Sequence, residues 1–108
     1  MTEGESFTTR VYRVVATIPR GRAMTYAAVA RVIGRPRASR AVGNALNRNP
    51  YPYKLHGSNR ARIPCHRVVR SDGLPGGYSS SLRIKVALLK REGIRFCRGR
   101  INPAQLIH

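Results

Sequence analysis

Cys65 stands between Pro64 and His66, with Arg67 next, in the run Ile63-Pro64-Cys65-His66-Arg67-Val68-Val69. The thiolate is the nucleophilic form of cysteine, and neighbouring imidazole or cationic groups favour it. Pro64 fixes its own φ and biases Ile63 towards an extended conformation, so the cysteine is expected after a rigid turn rather than mid-helix. The competing reading is an inert core cysteine. Adjacency in sequence does not by itself bring Cys65 and His66 into contact. The remaining candidate ligands, Cys97 and His56, form no C-x-x-C or H-x-x-x-H spacing with them, so no metal site is expected. On the first reading the chemistry is that of a reduced thiol acting as a nucleophile; on the second there is none, and the residues alone leave both open, with no cofactor expected.

The elements that must hold this turn can be read on either side of it. Phe7, Val11, Val14, Val15 and Ile18 follow helical spacing behind the candidate caps Ser6 and Thr8, and Pro19-Arg20-Gly21-Arg22 breaks that helix. A second helix is expected from Thr25, carrying Tyr26, Val29, Ala30 and Ile33, and ending at Gly34. Arg35-Pro36-Arg37 forms a turn, and Ala38 to Asn47 reads as a third helix burying Val42, Ala45 and Leu46. Two short helices joined by a Gly- and Pro-containing turn fit a helix-turn-helix. The small residues Ala38, Ser39, Ala41, Gly43 and Ala45 let a helix backbone approach DNA closely, or equally let two helices pack tightly.

Asn49-Pro50-Tyr51-Pro52 is an extended segment, and Lys54 to Arg62 reads as a polar, basic loop. Val68 to Leu74 is expected to form a short strand and a turn at Asp72-Gly73. Gly76-Gly77-Tyr78-Ser79-Ser80 is flexible by composition. Leu82, Val86 and Leu89, with Ile84 and Leu88, mark a last amphipathic helix ended by Gly93. Ile94 to His108 is basic and irregular, and residues 97–108 are expected to be a mobile tail. The fold class is therefore mainly α with a short β element, in one domain over 1–108 with its core in about 7–96.

Twenty-one Lys and Arg against four Asp and Glu give a formal net charge of +17, which points to a polyanionic partner. Arginine predominates, which suits planar, bidentate contacts to phosphate. Ribosomal proteins and basic tails share this bias, so charge alone does not separate repair from packaging. Two cysteines make no disulfide framework, and neither an apolar signal region nor a run of membrane-spanning length is present in the sequence. An intracellular protein is expected.

Pro64-Cys65-His66-Arg67-Val68-Val69 resembles the active-site signature of the O6-alkylguanine-DNA alkyltransferases (methylated-DNA–protein cysteine methyltransferases). Thr25-Tyr26-Ala27-Ala28-Val29-Ala30, Ala38-Ser39-Arg40-Ala41-Val42-Gly43 and Asn47-Arg48-Asn49-Pro50 resemble the family's upstream blocks in the same order. Gly76-Gly77-Tyr78-Ser79 and Leu88-Leu89-Lys90-Arg91-Glu92-Gly93 resemble its downstream blocks. The resemblance runs from about Phe7 to Phe96.

It implies a winged-helix-like helix-turn-helix domain of the alkyltransferase C-terminal type. The implied activity is single-turnover transfer of an alkyl group from O6-alkylguanine in duplex DNA to Cys65, after the base is flipped out of the stack. By resemblance His66 is the base, Glu92 orients it, and Tyr26 donates a hydrogen bond to the departing guanine, as does the backbone N–H of Ser79. Arg40 is the finger that replaces the flipped nucleotide, or else a plain phosphate contact. Arg37, Arg48, Ala38, Ser39 and Gly43 complete the DNA-binding set. Val68, Tyr78, Ser79 and Ser80 line the substrate pocket, and Asn49 and Pro64 shape the turn beneath the cysteine.

The expected partner is double-stranded DNA carrying O6-alkylguanine, bound by a monomer that can cluster on DNA. The expected location is cytoplasmic and chromosome-associated, or nuclear in a eukaryote. The chain departs from the family pattern in two places: the 53–62 loop is longer than the usual link, and Ser80-Ser81 stand where small glycine-rich residues follow Tyr-Ser. Complete members commonly carry an additional N-terminal domain, which is expected to be missing here. The alternative is an alkyltransferase-like protein that binds and flags the lesion without removing it. In that group the cysteine is commonly replaced by tryptophan, and this chain has no Trp. A basic architectural or ribosomal protein has no use for Tyr26, Arg40, Cys65, His66 and Glu92 together.

Overall fold

The computed structural model describes residues 6–78 and 81–108. Helix α1 (Phe7–Val15) starts where the Ser6 hydroxyl accepts the Thr9 N–H, and it buries Val11 and Val15. The chain then turns into a short buried strand, β1 (Ala23–Thr25). Thr25 closes the strand and caps the next helix, its hydroxyl accepting the Ala28 N–H at 3.1 Å. That helix, α2 (Tyr26–Val32), is followed by Gly34 at φ +80°, a left-handed conformation that glycine adopts without penalty. A turn leads to α3 (Ser39–Asn47), whose preceding residue, Ala38, provides no side-chain cap.

Helices α1, α2 and α3 close around Val11, Val15, Ile18, Val29, Val42 and Leu46, and Cys65 and Val68 belong to the same buried cluster. The helix-turn-helix formed by α2 and α3 is thus built directly onto the cysteine segment. After α3 the chain reaches a 3-10 turn at Cys65–Arg67, strand β2 (Val68–Val69) and helix α4 (Leu82–Arg91). Strands β3 (Phe96–Cys97) and β4 (Arg100–Ile101) form an antiparallel hairpin. Strand β5 (Leu106–Ile107) joins β1 and β2 in a parallel sheet of order β2-β1-β5. The fold is mainly α with a short β element. Among the described residues no helix is long and apolar enough to cross a membrane.

Two expectations are corrected here. Residues 97–108 are not a loose tail: Ala23 and Met24 of β1 pair with Leu106 and Ile107, and Gln105 donates through Nε2 to the Gly21 and Gly93 carbonyls. A two-residue strand carries no periodicity to read, and its partner lies more than eighty residues away. The inward face of α4 is also rotated from the one expected. Lys85, Leu88 and Leu89 are buried, whereas Leu82 is 52% exposed. A stripe drawn through apolar residue types cannot include a buried lysine, because lysine is almost never fully buried without a partner.

Candidate active site

The turn beneath the cysteine is set by Asn49, which is itself buried. Its Oδ1 accepts the Tyr51 N–H at 2.9 Å and its Nδ2 donates to the Ile63 carbonyl at 3.3 Å. Pro64 starts the 3-10 turn, and the Cys65 N–H returns to the Ile63 carbonyl at 2.8 Å. Cys65, His66 and Arg67 are all buried. Cys97, by contrast, is exposed on β3.

His66 and Arg67 converge on one carboxylate. His66 Nε2 lies 2.9 Å from Glu92 Oε1, and Arg67 donates through Nε to Oε1 at 2.9 Å and through Nη2 to Oε2 at 2.6 Å. Arg67 Nη1 also holds the Ile18 carbonyl at 2.8 Å, tying the cluster to the chain after α1. Glu92 caps the C-terminal end of α4, where the helix dipole disfavours a carboxylate. Burial pushes its pKa up, but hydrogen bonds from His66 and Arg67 outweigh burial and hold it at about 2. Burial is also the main influence on His66, lowering its pKa against the opposing pull of Glu92. A neutral imidazole therefore donates from Nε2 to Glu92. This leaves Nδ1 unprotonated, buried and without a hydrogen-bond partner among the described residues.

A second group of polar side chains surrounds the thiol. Burial, and then the electrostatic influence of Cys65, push the Tyr26 hydroxyl up to about 12, so it remains a donor throughout the neutral range. The Tyr78 hydroxyl is raised by burial and then by Cys65; it donates to the Tyr53 carbonyl at 3.3 Å, and its ring stands edge-on to His66. Val68 presents its carbonyl to Lys85 Nζ at 2.8 Å, which leaves one lone pair of that oxygen for another donor. Ser79 and Ser80 lie outside the described residues.

Lys85 and Arg67 are the members of this site that sequence reasoning missed. Lys85 is fully buried and also donates to the Gly77 carbonyl at 2.9 Å and the Tyr26 hydroxyl at 3.4 Å. Burial lowers its pKa to about 7, opposed by the electrostatic influence of Cys65. The available signal was helical spacing, since Lys85 and Glu92 are seven residues apart and so share one face of α4.

A groove of about 790 Å³ runs between α3 and the 70–77 segment, lined by Tyr26, Ser39, Arg40, Gly43, Asn47 and Gly76 among others. Cys65 is buried and is not part of its wall. Arg40 is exposed and borders this groove, as does Ser39, while Arg37 and Arg48 are exposed at the turn and at the end of α3. Ala38 is half-buried before the first turn of α3. Gly43 faces Tyr26, but a Cβ there would sit 3.8 Å from the ring, an ordinary contact. Gly76 is different: its φ is +76°, and a Cβ would lie 2.9 Å from the Tyr26 hydroxyl. Gly76→Ala is expected to cost about 1–2 kcal/mol through left-handed strain, with Tyr26 displaced in addition. Gly77→Ala, whose Cβ would meet nothing nearer than 3.7 Å, is expected to be much milder. Urea midpoints of the two variants check the difference.

A family model described as "6-O-methylguanine DNA methyltransferase, DNA binding domain" matches residues 6–94. The methylated-DNA–protein-cysteine methyltransferase of Methanosarcina acetivorans is 45% identical over 91 residues, covering 84% of this chain and 53% of that protein. The human protein of the same name is 41% identical over 92 residues, covering 84% of this chain and 41% of that protein. The chain spans about half the length of the curated relatives it matches. Among solved structures, Mycobacterium tuberculosis OGT in complex with DNA superposes with a TM-score of 0.70 at 38% identity, over 83% of this chain and 51% of that one. S. pombe Atl1, bound to damaged DNA containing O6-carboxymethylguanine, superposes with a TM-score of 0.72 at 28% identity over 94% of both chains. With 89 of its 108 residues inside the matched region (6 to 94 inclusive), the chain belongs to the 6-O-methylguanine DNA methyltransferase family.

Proposed function

We propose that this protein repairs DNA by moving the alkyl group from O6 of a flipped guanine to Cys65, once per molecule and without a cofactor. The observation that carries this reading is the His66 Nδ1, buried and without a partner among the described residues, whose ring commits Nε2–H to Glu92 one residue from the buried thiol. His66 takes the thiol proton, directly or through water, and the Cys65 sulfur attacks the alkyl carbon. The C–O6 bond breaks as the S–C bond forms, and the electron pair leaves with guanine. The Tyr26 hydroxyl, held protonated and backed by Lys85, donates to the departing base. The thioether does not hydrolyse, so the protein is consumed. Glu92 acts as a positioning residue through His66.

The protein works as a monomer on double-stranded DNA, with α3 as the contacting helix. Arg37 and Arg48 hold phosphates, and Arg40, at the lip of the groove, occupies the gap left by the flipped nucleotide. Arg40→Ala is therefore expected to slow transfer from duplex by about tenfold or more, because a stacked base needs help to leave. Transfer from free O6-benzylguanine should change little. The ratio of these two rates in wild type and variant is the measurement, and equal losses would make Arg40 a support of the pocket.

The similarity to Atl1 over nearly the full length of both chains favours a second reading, in which the protein binds the lesion without transfer. Mass spectrometry of the intact protein after incubation with an O6-methylguanine duplex separates the two. Repair predicts one added methyl group, mapped to Cys65. An unchanged mass with retained lesion binding would leave the flagging reading in place.

A further inference from the structure

The polar, basic 53–62 loop is firmly held. The Lys54 N–H donates to Asn59 Oδ1 at 2.7 Å, and Asn59 Nδ2 returns to the Lys54 carbonyl at 3.1 Å, which closes the loop on itself. Arg62 Nη1 donates to the Pro52 carbonyl at 3.3 Å, and the Ile63 N–H to the Tyr51 carbonyl at 2.8 Å, which clamps its stem beside the cysteine turn. From the other side, Arg91 of α4 donates through its guanidinium to the Leu55 carbonyl. Ala61 adopts φ +64°, a conformation that persists in a non-glycine residue only where the surroundings impose it.

This clamping delivers one side chain to the relay. The Tyr53 ring centroid lies 5.0 Å from that of His66, tilted by 43°. Arg67 Cζ stands 5.3 Å from the same centroid, within cation–π range. The Tyr53 carbonyl accepts the Tyr78 hydroxyl. One residue of the loop therefore touches the base, the arginine that shares its carboxylate, and a wall of the substrate pocket.

We propose that Tyr53 is a positioning residue for His66: its ring covers the imidazole and the Arg67 guanidinium, keeping water off the His66–Glu92 pair. The proposal rests on the reading of His66 as the base for Cys65. His66 is faced by Glu92 and Lys85 from α4, by Arg67 from its own turn, by Tyr78 from the segment before α4, and by Tyr53 from the loop. Of these, Tyr53 alone reaches it from the 53–62 loop. Burial of the imidazole disfavours its charged form. Opening the cover admits water, and the proton then binds more readily.

The test follows the His66 ring by heteronuclear NMR as a function of pH in the full chain, for wild type, Tyr53→Phe and Tyr53→Leu. The pH profile of Cys65 alkylation by free O6-benzylguanine is measured in parallel. Tyr53→Phe keeps the ring and should titrate like wild type. Tyr53→Leu should raise the His66 midpoint by about one pH unit, with the acid limb of the alkylation profile moving up alongside. Tyr53→Met serves the same purpose should the leucine variant fail to fold. An unshifted His66 midpoint, or a rate loss uniform across pH, overturns the proposal. A shifted midpoint in a protein that never alkylates would uphold Tyr53's role and count instead against the transfer reading.

Discussion

Cys65→Ala is expected to abolish alkyl transfer while leaving affinity for duplex DNA within about twofold of wild type, since phosphate contacts set most of that affinity. The thiol lies in the buried cluster shared with Val29, Val42 and Val68, whereas Arg40 of α3 and Arg48 at its C-terminal end are exposed. Removing a sulfur leaves a small cavity worth about 1 kcal/mol, which lowers stability without touching the contacting surface. Cys97 provides the internal control, because it is exposed on β3, whereas Cys65 is buried. Cys97→Ser should retain full transfer. The checks are transfer from a radiolabelled O6-methylguanine duplex and a binding titration with undamaged duplex. Residual transfer in Cys65→Ala would mean that another atom is the nucleophile.

Glu92→Gln is expected to have the largest effect on stability. It leaves Arg67, largely buried, without its bidentate counter-charge, and breaking such a pair costs about 3–5 kcal/mol. The pH dependence follows from the shifted carboxyl. Glu92 is held at about 2, below its ordinary 4.5, so its contribution is fully present above pH 4.5 and is lost as the pH falls towards 2. His66 behaves in the same sense at higher pH. Its lowered pKa means that stability declines as the pH drops below its ordinary 6.5. Urea unfolding of both proteins between pH 7 and pH 2 should show the wild-type advantage intact down to about pH 4.5 and shrinking below it. A gap that stays constant across that window would show that Glu92 does not exchange its proton with folding. Transfer in the variant should also slow, since a neutral amide replaces the carboxylate that offsets positive charge developing on His66.

The helix-turn-helix and the cysteine turn were legible in the chain because each rests on local rules. Thr25 caps α2, Gly34 ends it, and Asn49 and Pro64 shape the backbone within a few residues of themselves. The contact between His66 and Glu92 could be anticipated only through the ordered blocks of the family. No periodicity links His66 to Glu92 across 26 residues. The inward turn of Lys85 and the convergence of Arg67 on Glu92 escaped notice because a charged residue is ordinarily assigned to the surface. Burial of Lys85 becomes tolerable only where the Val68 and Gly77 carbonyls and the Tyr26 hydroxyl converge on its ammonium.

By itself, then, the amino-acid sequence determined the helices, the rigid turn at Cys65, the surplus of positive charge and the order of the family blocks. Each of these is encoded by neighbours in the chain or by composition. Tertiary structure alone decided three things: that β5 completes the sheet, that Lys85 is buried against the Val68 carbonyl, and that the Tyr53 ring stands beside His66. Those contacts join residues between 13 and more than eighty positions apart. They form because apolar surface must be covered and buried polar groups must be paired, and which partner satisfies each group is set only once the whole chain has closed.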